Sequence, residues 1–443
     1  MIIMAGINRR HFVKGASAAA AAGLAGCTGG NGGDGEVPPV EWISPAWAAR
    51  DGQSEKYNEL TGHEVNITTA TIPTVQQRLL GGENTEIDAY SVETSGAGAL
   101  ADVTIPTPTE NLDNWDEDTI SPAFTNPGER LSHLGAQTET INDMLWADDA
   151  QTELQFPPHA YNFDAVGYNP KFVDEASLWS ALFDEQYEGQ ATIGNTAAIT
   201  IPQALMHMVD NDMVDGNIGD LNNPSQDQLD AAIDFLVEQK ETGQFRSTWG
   251  GYGESVTQMA SEEAVIGDVW QPAAMDIRRD GTPCTYATME GGIQGYRYWF
   301  GGVAPVDPGA NERGNLENVY SLYNDVHLGA WYPGYVQGWG YSVPHYENQE
   351  LVRDGSDESG EGMGPEYYDW AYQGESTYNP VDEPALFDPQ EYDWSDEEGD
   401  PSADGGSRDS GPIEDRFDRI GFFQIWPDEA DYMQDRWGDF LSA

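Results

Sequence analysis

The chain has 443 residues, 77 acidic against 19 basic, for a formal net charge of −58. Phosphate contacts need basic patches and none exists here, so the balance argues against nucleic acid as a partner. With 39% hydrophobic and 11% aromatic residues, the composition also argues against an acidic disordered protein.

The charge spreads along the whole chain, and lysine is confined to Lys14, Lys56, Lys171 and Lys240. Such a chain repels itself in dilute buffer. In molar salt the screening length falls to about 3 Å and the repulsion fades. The composition therefore fits a halophilic setting.

At the N-terminus, Asn8-Arg9-Arg10-His11-Phe12-Val13-Lys14 precedes an Ala/Gly-rich apolar run ending in Leu24-Ala25-Gly26-Cys27. The order of positive, apolar, small and cysteine resembles a twin-arginine export signal joined to a lipoprotein cleavage box. The apolar run is shorter than the ~20 residues of a membrane span. Residues 1–26 are thus expected to be an export signal, and Cys27 the lipidated residue. Residues 27–36, rich in glycine, read as a flexible linker. The expected place is the outer face of the cytoplasmic membrane, with the lipid as the only membrane attachment. With Cys27 lipidated, Cys284 has no disulfide partner.

Val37–Ile43 reads as a strand, and Asp51–Leu60 as a helix stopped at Thr61-Gly62. Glu64–Thr71 alternates like a strand, Pro73–Leu80 is a helix closed by Gly81-Gly82, and Ile87–Val92 is a strand before a helix opening at Ser95-Gly96. This β-α-β-α-β rhythm predicts a parallel or mixed sheet covered by helices. Residues 105–150 are polar and Pro-rich, with weak pattern. Further strands are expected over 162–169, at 192–194 and over 264–269. Helices are expected over 177–183, 199–210, 225–242, 272–279 and 316–328. In 225–242, Leu229, Ile233, Leu236 and Val237 form an apolar stripe and Ser225 is a cap. Residues 354–365 and 388–415 read as acidic loops. Within them Asp396-Glu397-Glu398-Gly399-Asp400 lacks the alternate spacing and closing glutamate of a calcium loop.

Enzyme motifs are missing. His63-Glu64 has no histidine three residues on, no Gly-x-Ser-x-Gly occurs, and the seven histidines form no close pairs. Gly96-x-Gly98-x-x-Ala101 only mimics a dinucleotide fingerprint. No cofactor or metal is expected. A glycosidase-type hydrolase is the enzyme alternative, since paired carboxylates abound. A structural surface protein would show repeats and many glycosylation sites, whereas only Asn66-Ile67-Thr68 qualifies clearly.

Several segments, in order, carry a resemblance. They are Glu55-Lys56-Tyr57-Asn58-Glu59-Leu60-Thr61-Gly62-His63-Glu64-Val65, Tyr168-Asn169-Pro170-Lys171, and Ser177-Leu178-Trp179-Ser180-Ala181-Leu182-Phe183 with Tyr187-Glu188-Gly189. Ala264-Val265-Ile266-Gly267-Asp268-Val269-Trp270, Asp280-Gly281-Thr282-Pro283 and Gly340-Tyr341-Ser342-Val343-Pro344 continue it. Together they resemble the extracellular solute-binding proteins of ATP-binding-cassette importers, nearest the spermidine/putrescine-binding group. The resemblance implies an α/β, periplasmic-binding-protein-like (type II) fold: two lobes, crossing hinge strands and a ligand cleft between them. Lobe 1 is expected to comprise residues 37–158 and 301–335, and lobe 2 residues 159–300 and 336–443. Hinge crossings are expected near 157–160 and 299–302. The implied function is capture of a small polar organic solute, a polyamine-like amine or a zwitterion, by a monomer that hands it unchanged to a membrane permease.

Carried over by motif, the expected ligand contacts are Trp42, Ser44 and Trp47 after the first strand, and Glu93, Thr94 and Ser95 after the third. The second lobe contributes Asn195, Thr196, Trp270 and Gln271, with Trp299 at the hinge and Tyr341 in the late Gly-Tyr. Aromatic faces attract alkylammonium ions and also pack on sugar rings. The family's second-lobe acids are replaced by Asn195-Thr196-Ala197-Ala198, and the acid expected beyond the hinge aromatics falls on Gly301 or Gly302. Glu93 can supply a carboxylate, with Asp268 and Glu290 as further candidates. Thr94–Gly98 and Gly194–Ala197 are small polar strand-to-helix loops, which suit an anion and keep an anionic or sugar solute as the alternative.

Overall fold

The computed structural model describes residues 37–48, 51–112, 115, 118–327, 341–356, 360–361, 364–373 and 412–443. The export signal, Cys27, the linker and the Asp396–Asp400 run lie outside the described residues.

The β-α-β-α-β start is present. β1 (Val40–Ser44), α1 (Asp51–Thr61), β2 (Val65–Thr69), α2 (Ile72–Leu80), β3 (Ala89–Glu93) and the short α3 (Thr94–Ala97) follow in order. Gly62 ends α1 at φ +75°, a conformation glycine adopts without strain. β1 pairs in parallel with both β2 and β3, so the carboxyl ends of β1 and β3 share one edge. The 105–150 stretch holds β4 (Thr107–Pro108) and the helices α4 (Pro122–Thr125), α5 (Pro127–Arg130) and α6 (Gln137–Leu145); β5 (Glu153–Leu154) follows it and pairs with β4.

β6 (Pro158–Asp164) then joins the first sheet, whereas β7 (Gly167–Tyr168) belongs to a second one. The strand expected over 162–169 is therefore broken at Ala165-Val166, where the chain leaves one sheet for the other. The second sheet adds β8 (Ala191–Gly194), β9 (Phe245–Trp249), β10 (Ile266–Gly267) and β11 (Thr285–Tyr286), in the order β11-β7-β10-β8-β9. β8, β9 and β10 run parallel. Its helices are α7 (Ala197–Asp210), α8 (Gln226–Thr242), α9 (Tyr252–Ala260) and α10 (Gln271–Arg279). The expected cap is present: Ser225 and Gln228 form a reciprocal capping box, and Leu229, Ile233 and Leu236 are buried beneath α8.

β12 (Tyr296–Pro305) is the longest strand of the first sheet and was not foreseen. β6 pairs with one edge over Arg297–Gly302. The other edge takes β15 (Ile420–Phe423) over Tyr296–Tyr298 and β3 over Gly301–Pro305. Side chains of a strand alternate between its faces, so β12 has two chemistries. Tyr296, Tyr298 and Phe300 point into an aromatic core with Phe124, Phe163, Phe417 and Phe423. Arg297, Trp299 and Gly301 point the other way.

These pairings differ from the expected boundaries. β6, all of β12 and β15 belong to the first sheet, and Ser342 bridges to Tyr161 on β6. β6 and β12 are bonded to each other and so stay in one sheet. The chain passes between sheets at 165–166, at 287–295 and after Phe423: the first passage lies later than the expected crossing at 157–160, the second earlier than that at 299–302. It then closes with the helix Ala430–Ser442, which packs on α8 through Arg436 to Asp230 and Asp234. The helix expected over 316–328 is regular only for Leu316–Ser321, and widens over Leu322–His327. No helix among the described residues is long and apolar enough to cross a membrane.

Candidate functional site

The polar face of β6 and β12 organises the site. Residues directly opposite across the two strands are Arg297 with Asp164, Trp299 with Asn162, and Gly301 with Ala160. Asp164 and Arg297 are 2% and 1% exposed, and Arg297 Nη2 donates to Asp164 Oδ2 at 2.6 Å. Asp164 also accepts from Trp299 Nε1 at 3.1 Å, Asn162 Nδ2 at 2.7 Å and Tyr286 Oη at 3.3 Å. Tyr286 comes from the second sheet, so this carboxylate ties both lobes at the crossing.

Beside the pair stands an aromatic corner. Trp47 meets Trp299 edge-on at 5.4 Å between centroids and Tyr341 at 6.1 Å, and Trp299 meets Tyr341 at 5.0 Å. Gly301 makes room for it: a Cβ there would stand 2.1 Å from Trp47 Cη2. The space where the resembling proteins would carry an acid is thus filled by an indole ring. Burial pushes the Tyr341 phenol well above its usual range, with the Asp164 and Glu93 charges adding to it.

Glu93 sits opposite Gly301 at the carboxyl end of β3. Its Oε1 accepts from Ser95 Oγ at 2.7 Å and Gln424 Nε2 at 2.9 Å. Burial raises its pKa, the Ser95 hydrogen bond lowers it, Asp164 raises it further and Arg297 lowers it. The neighbouring Thr94 hydroxyl is buried and makes no hydrogen bond.

The second lobe offers the carboxyl ends of β8, β9 and β10, the edge at which open α/β sheets bind ligands. Asn195 and Thr196 are exposed at the start of α7, and the Asn195 backbone N–H donates to Trp249 O at 2.7 Å. Trp270 stacks on Tyr252 at 6.4 Å and meets Trp249 edge-on at 4.8 Å. Asp268 is buried, and its Oδ1 accepts from Trp249 Nε1 at 3.1 Å. Its Oδ2 lies near Gly194 and the Gln203 amide without well-formed hydrogen bonds. Burial lifts the Asp268 pKa to about 7, against the opposing pull of Arg297. Gln271 Oε1 is buried and unbonded.

The structure thus brings Trp47, Glu93, Trp299 and Tyr341 together, with Thr94 and Ser95 alongside, and sets Asn195, Thr196, Trp270 and Gln271 at the second lobe's strand ends. Trp42 lies elsewhere, enclosed in the first lobe with Nε1 donating to Ser91 Oγ at 3.1 Å. Ser44 is fully buried and donates to the Pro45 carbonyl. Glu290 bonds Ser177 at an exposed position. Sequence reasoning missed Asp164, Arg297 and Gln424. The available signal was a lone charge inside each of two apolar strands, Tyr161-Asn162-Phe163-Asp164 and Tyr296-Arg297-Tyr298-Trp299. A separate cavity of about 440 Å3 is lined by Glu41, Thr68, Arg78, Glu86 and Arg313. Its arginines are already paired, Arg78 with Glu83 and Arg313 with Asp88.

Two α/β lobes joined by crossing segments, with a polar and aromatic junction between them, define a type II periplasmic-binding-protein-like fold. The chain resembles the spermidine/putrescine ABC transporter substrate-binding protein PotD of Streptococcus pneumoniae, solved with calcium and HEPES. The identity is 16% over 71% of this chain and 85% of that one, with a TM-score of 0.52. A putative spermidine/putrescine ABC transporter protein from Listeria monocytogenes is 14% identical over 91% of this chain and 98% of its own, with a TM-score of 0.56. The structure described as the Atu4243-GABA receptor is 15% identical over 91% and 97%, with a TM-score of 0.55. No curated protein sequence matches. The profile of the bacterial extracellular solute-binding proteins matches residues 53–307, more than half of the chain, and the chain belongs to that family.

Proposed function

We propose that this protein is the substrate-binding component of an ATP-binding-cassette importer. It captures a small organic solute bearing an ammonium group, a polyamine-like amine or a zwitterion, outside the cell and delivers it unchanged to a membrane permease. The observation that carries this reading is the junction between the lobes. Three mutually edge-on aromatics, Trp47, Trp299 and Tyr341, adjoin the Glu93 carboxylate, and Asp268 and Trp270 follow β10 at the strand ends of the second lobe. Aromatic faces and carboxylates together replace the water an ammonium gives up. Contacts to both lobes at once drive closure of such a clamshell. In this reading the described residues of 37–164 and 296–423 form one lobe and those of 165–295 and 424–443 the other. Monomeric action, twin-arginine export and a lipid anchor at Cys27 in a saline medium complete the reading.

The test is a thermal-shift screen in molar salt with polyamines, betaines, amino acids, sugars and phosphonates. A true ligand at 100 times its dissociation constant stabilises the protein by about 2.7 kcal/mol. Trp270→Ala and Trp299→Ala are expected to abolish the shift given by amines or zwitterions. Parent-like responses from both variants would remove the cleft from the reading, and a shift from sugars or phosphonates alone would replace the solute class.

A further inference from the structure

Among the described residues, the junction holds one guanidinium, Arg297, and three carboxylates, Asp164, Glu93 and Asp268. Asp164 is saturated, since its two oxygens already accept from Arg297, Trp299, Asn162 and Tyr286. Arg297 is not: it is 1% exposed, and its Nε and Nη1 make no hydrogen bond. A buried donor left in that state is costly, and a charged one more so. Something with acceptor oxygens belongs beside it.

Two further carboxylates belong to the same junction. Glu93 reaches it from the first lobe, fixed by Ser95 and Gln424, and Asp268 from the second, fixed by Trp249. Both are held by uncharged donors. Arg297 bonds Asp164, which also accepts from Tyr286 of the second sheet, so the guanidinium stands where the two lobes meet. An ammonium placed against Glu93 and the aromatic corner is therefore attracted locally. A second ammonium on the same small molecule meets Arg297 and is repelled across a low-dielectric interior. A carboxylate at that end gains a charge-assisted hydrogen bond instead.

Resting on the reading of this junction as the solute site, we propose that the ligand is a small zwitterion with one ammonium and one carboxylate, and that Arg297 is the specificity-determining residue that receives the carboxylate and turns away a dication of the same length.

The test uses matched pairs differing in one charged group: 3-aminopropanoate, 4-aminobutanoate and 5-aminopentanoate, each against the diamine of equal length. Isothermal titration is run on the exported protein in molar salt. At least one amino acid is expected to bind about tenfold or more tightly than its diamine. Arg297→Gln keeps a donor towards Asp164 but removes the charge, and it is expected to weaken the zwitterion and strengthen the diamine, so that the ratio inverts. Arg297→Lys is expected to keep the original order. A merely structural role would weaken both ligands alike. The wild-type ratio decides the question even if Arg297→Gln fails to fold. Diamines binding wild type as tightly as their partners, or an unchanged ratio in a folded Arg297→Gln, would overturn the proposal. Should only uncharged or purely anionic solutes bind, and bind in a way that Trp299→Ala abolishes, the zwitterion is wrong and the cleft reading stands. Binding that Trp299→Ala leaves untouched would instead remove the cleft reading, and this inference with it.

Discussion

Gly301→Ala isolates the contribution of the aromatic corner. The added Cβ would stand 2.1 Å from Trp47 Cη2, 2.8 Å from Cζ3 and 3.2 Å from Cζ2. Carbon atoms settle at about 3.5–4.0 Å, so the ring must withdraw by roughly 1.5 Å. Gly301 itself cannot yield, because it is paired with Glu93 on one side and Ala160 on the other. Trp47 is only half-buried and can swing away. Overpacking in cores costs about 1–3 kcal/mol, and a ring with an exit should place this variant near the lower end. The displaced indole no longer meets Trp299 and Tyr341 edge-on, and its share of cation attraction, about 0.5–2 kcal/mol, is lost. The expected outcome is therefore a stability loss of about 1 kcal/mol with a fall in affinity of about 2- to 30-fold. Urea denaturation and calorimetric titration of the same preparation measure the two. On a Trp47→Ala background the same substitution should do almost nothing, since the clash is gone. Unchanged affinity in a destabilised Gly301→Ala would refute Trp47 as a ligand contact.

Three further outcomes rest on the buried carboxylates. Asp268 is raised to about 7 by burial, so below that pH it is neutral and attracts no cation. Affinity for an ammonium ligand should fall by up to about tenfold per unit as pH drops below 7, and Asp268→Asn should flatten the profile. A parent profile already flat from pH 5 to 8 would contradict this. For the ligand-free protein the sign reverses: the folded state holds the proton longer than the unfolded one, so stability declines as pH rises from the ordinary aspartate value of 3.8 to about 7. Asp164→Ala leaves Arg297 buried without its counter-charge and strips the partner from Trp299 Nε1. A loss of about 3–5 kcal/mol in urea melts is expected, with Asp164→Asn milder. A loss below 1 kcal/mol for the alanine variant would mean that solvent reaches the pair.

The first lobe's opening was legible because each element carried its own punctuation. α1 stops at Gly62, α2 at Gly81, and the helix pattern of α8 comes with a reciprocal cap at Ser225 and Gln228. β12 was illegible for a physical reason. Both of its faces are buried, one in the aromatic core and one at the lobe junction, so polar residues do not alternate with apolar ones. Tyr-Arg-Tyr-Trp-Phe-Gly alternates in partners, not in hydropathy. Without β12 the first crossing was placed several residues early and the second several residues late, and β6 fell in the wrong sheet. The site residues divided in the same way. Glu93, Trp299 and Tyr341 lay at motif positions and converge. Trp42 lay at one too, yet faces Ser91 inside the first lobe, because a tryptophan in mid-strand has the same local sequence whether it lines a core or a cleft. Asp164 and Arg297 pair across 133 residues, a separation no local pattern reports.

In the saline medium proposed above, charge recognition should sit deep in this molecule. A chain of net charge −58 stays compact most readily where the screening length is about 3 Å. In that medium an exposed carboxylate is nearly invisible to a solute a few ångströms away, and the acidic surface can neither steer nor select a ligand. Groups withdrawn from solvent escape this screening. Asp164, Arg297 and Asp268 are buried, and Glu93 is half-buried against Gln424. On the proposed function, discrimination by charge therefore belongs at the strand junction. An ammonium held against Glu93 should lose little affinity as salt rises, whereas the same ion on the protein's surface should lose nearly all of it. A ligand affinity that collapses between low and molar salt, with the fold intact by circular dichroism, would move the binding event out of the junction and onto the acidic exterior.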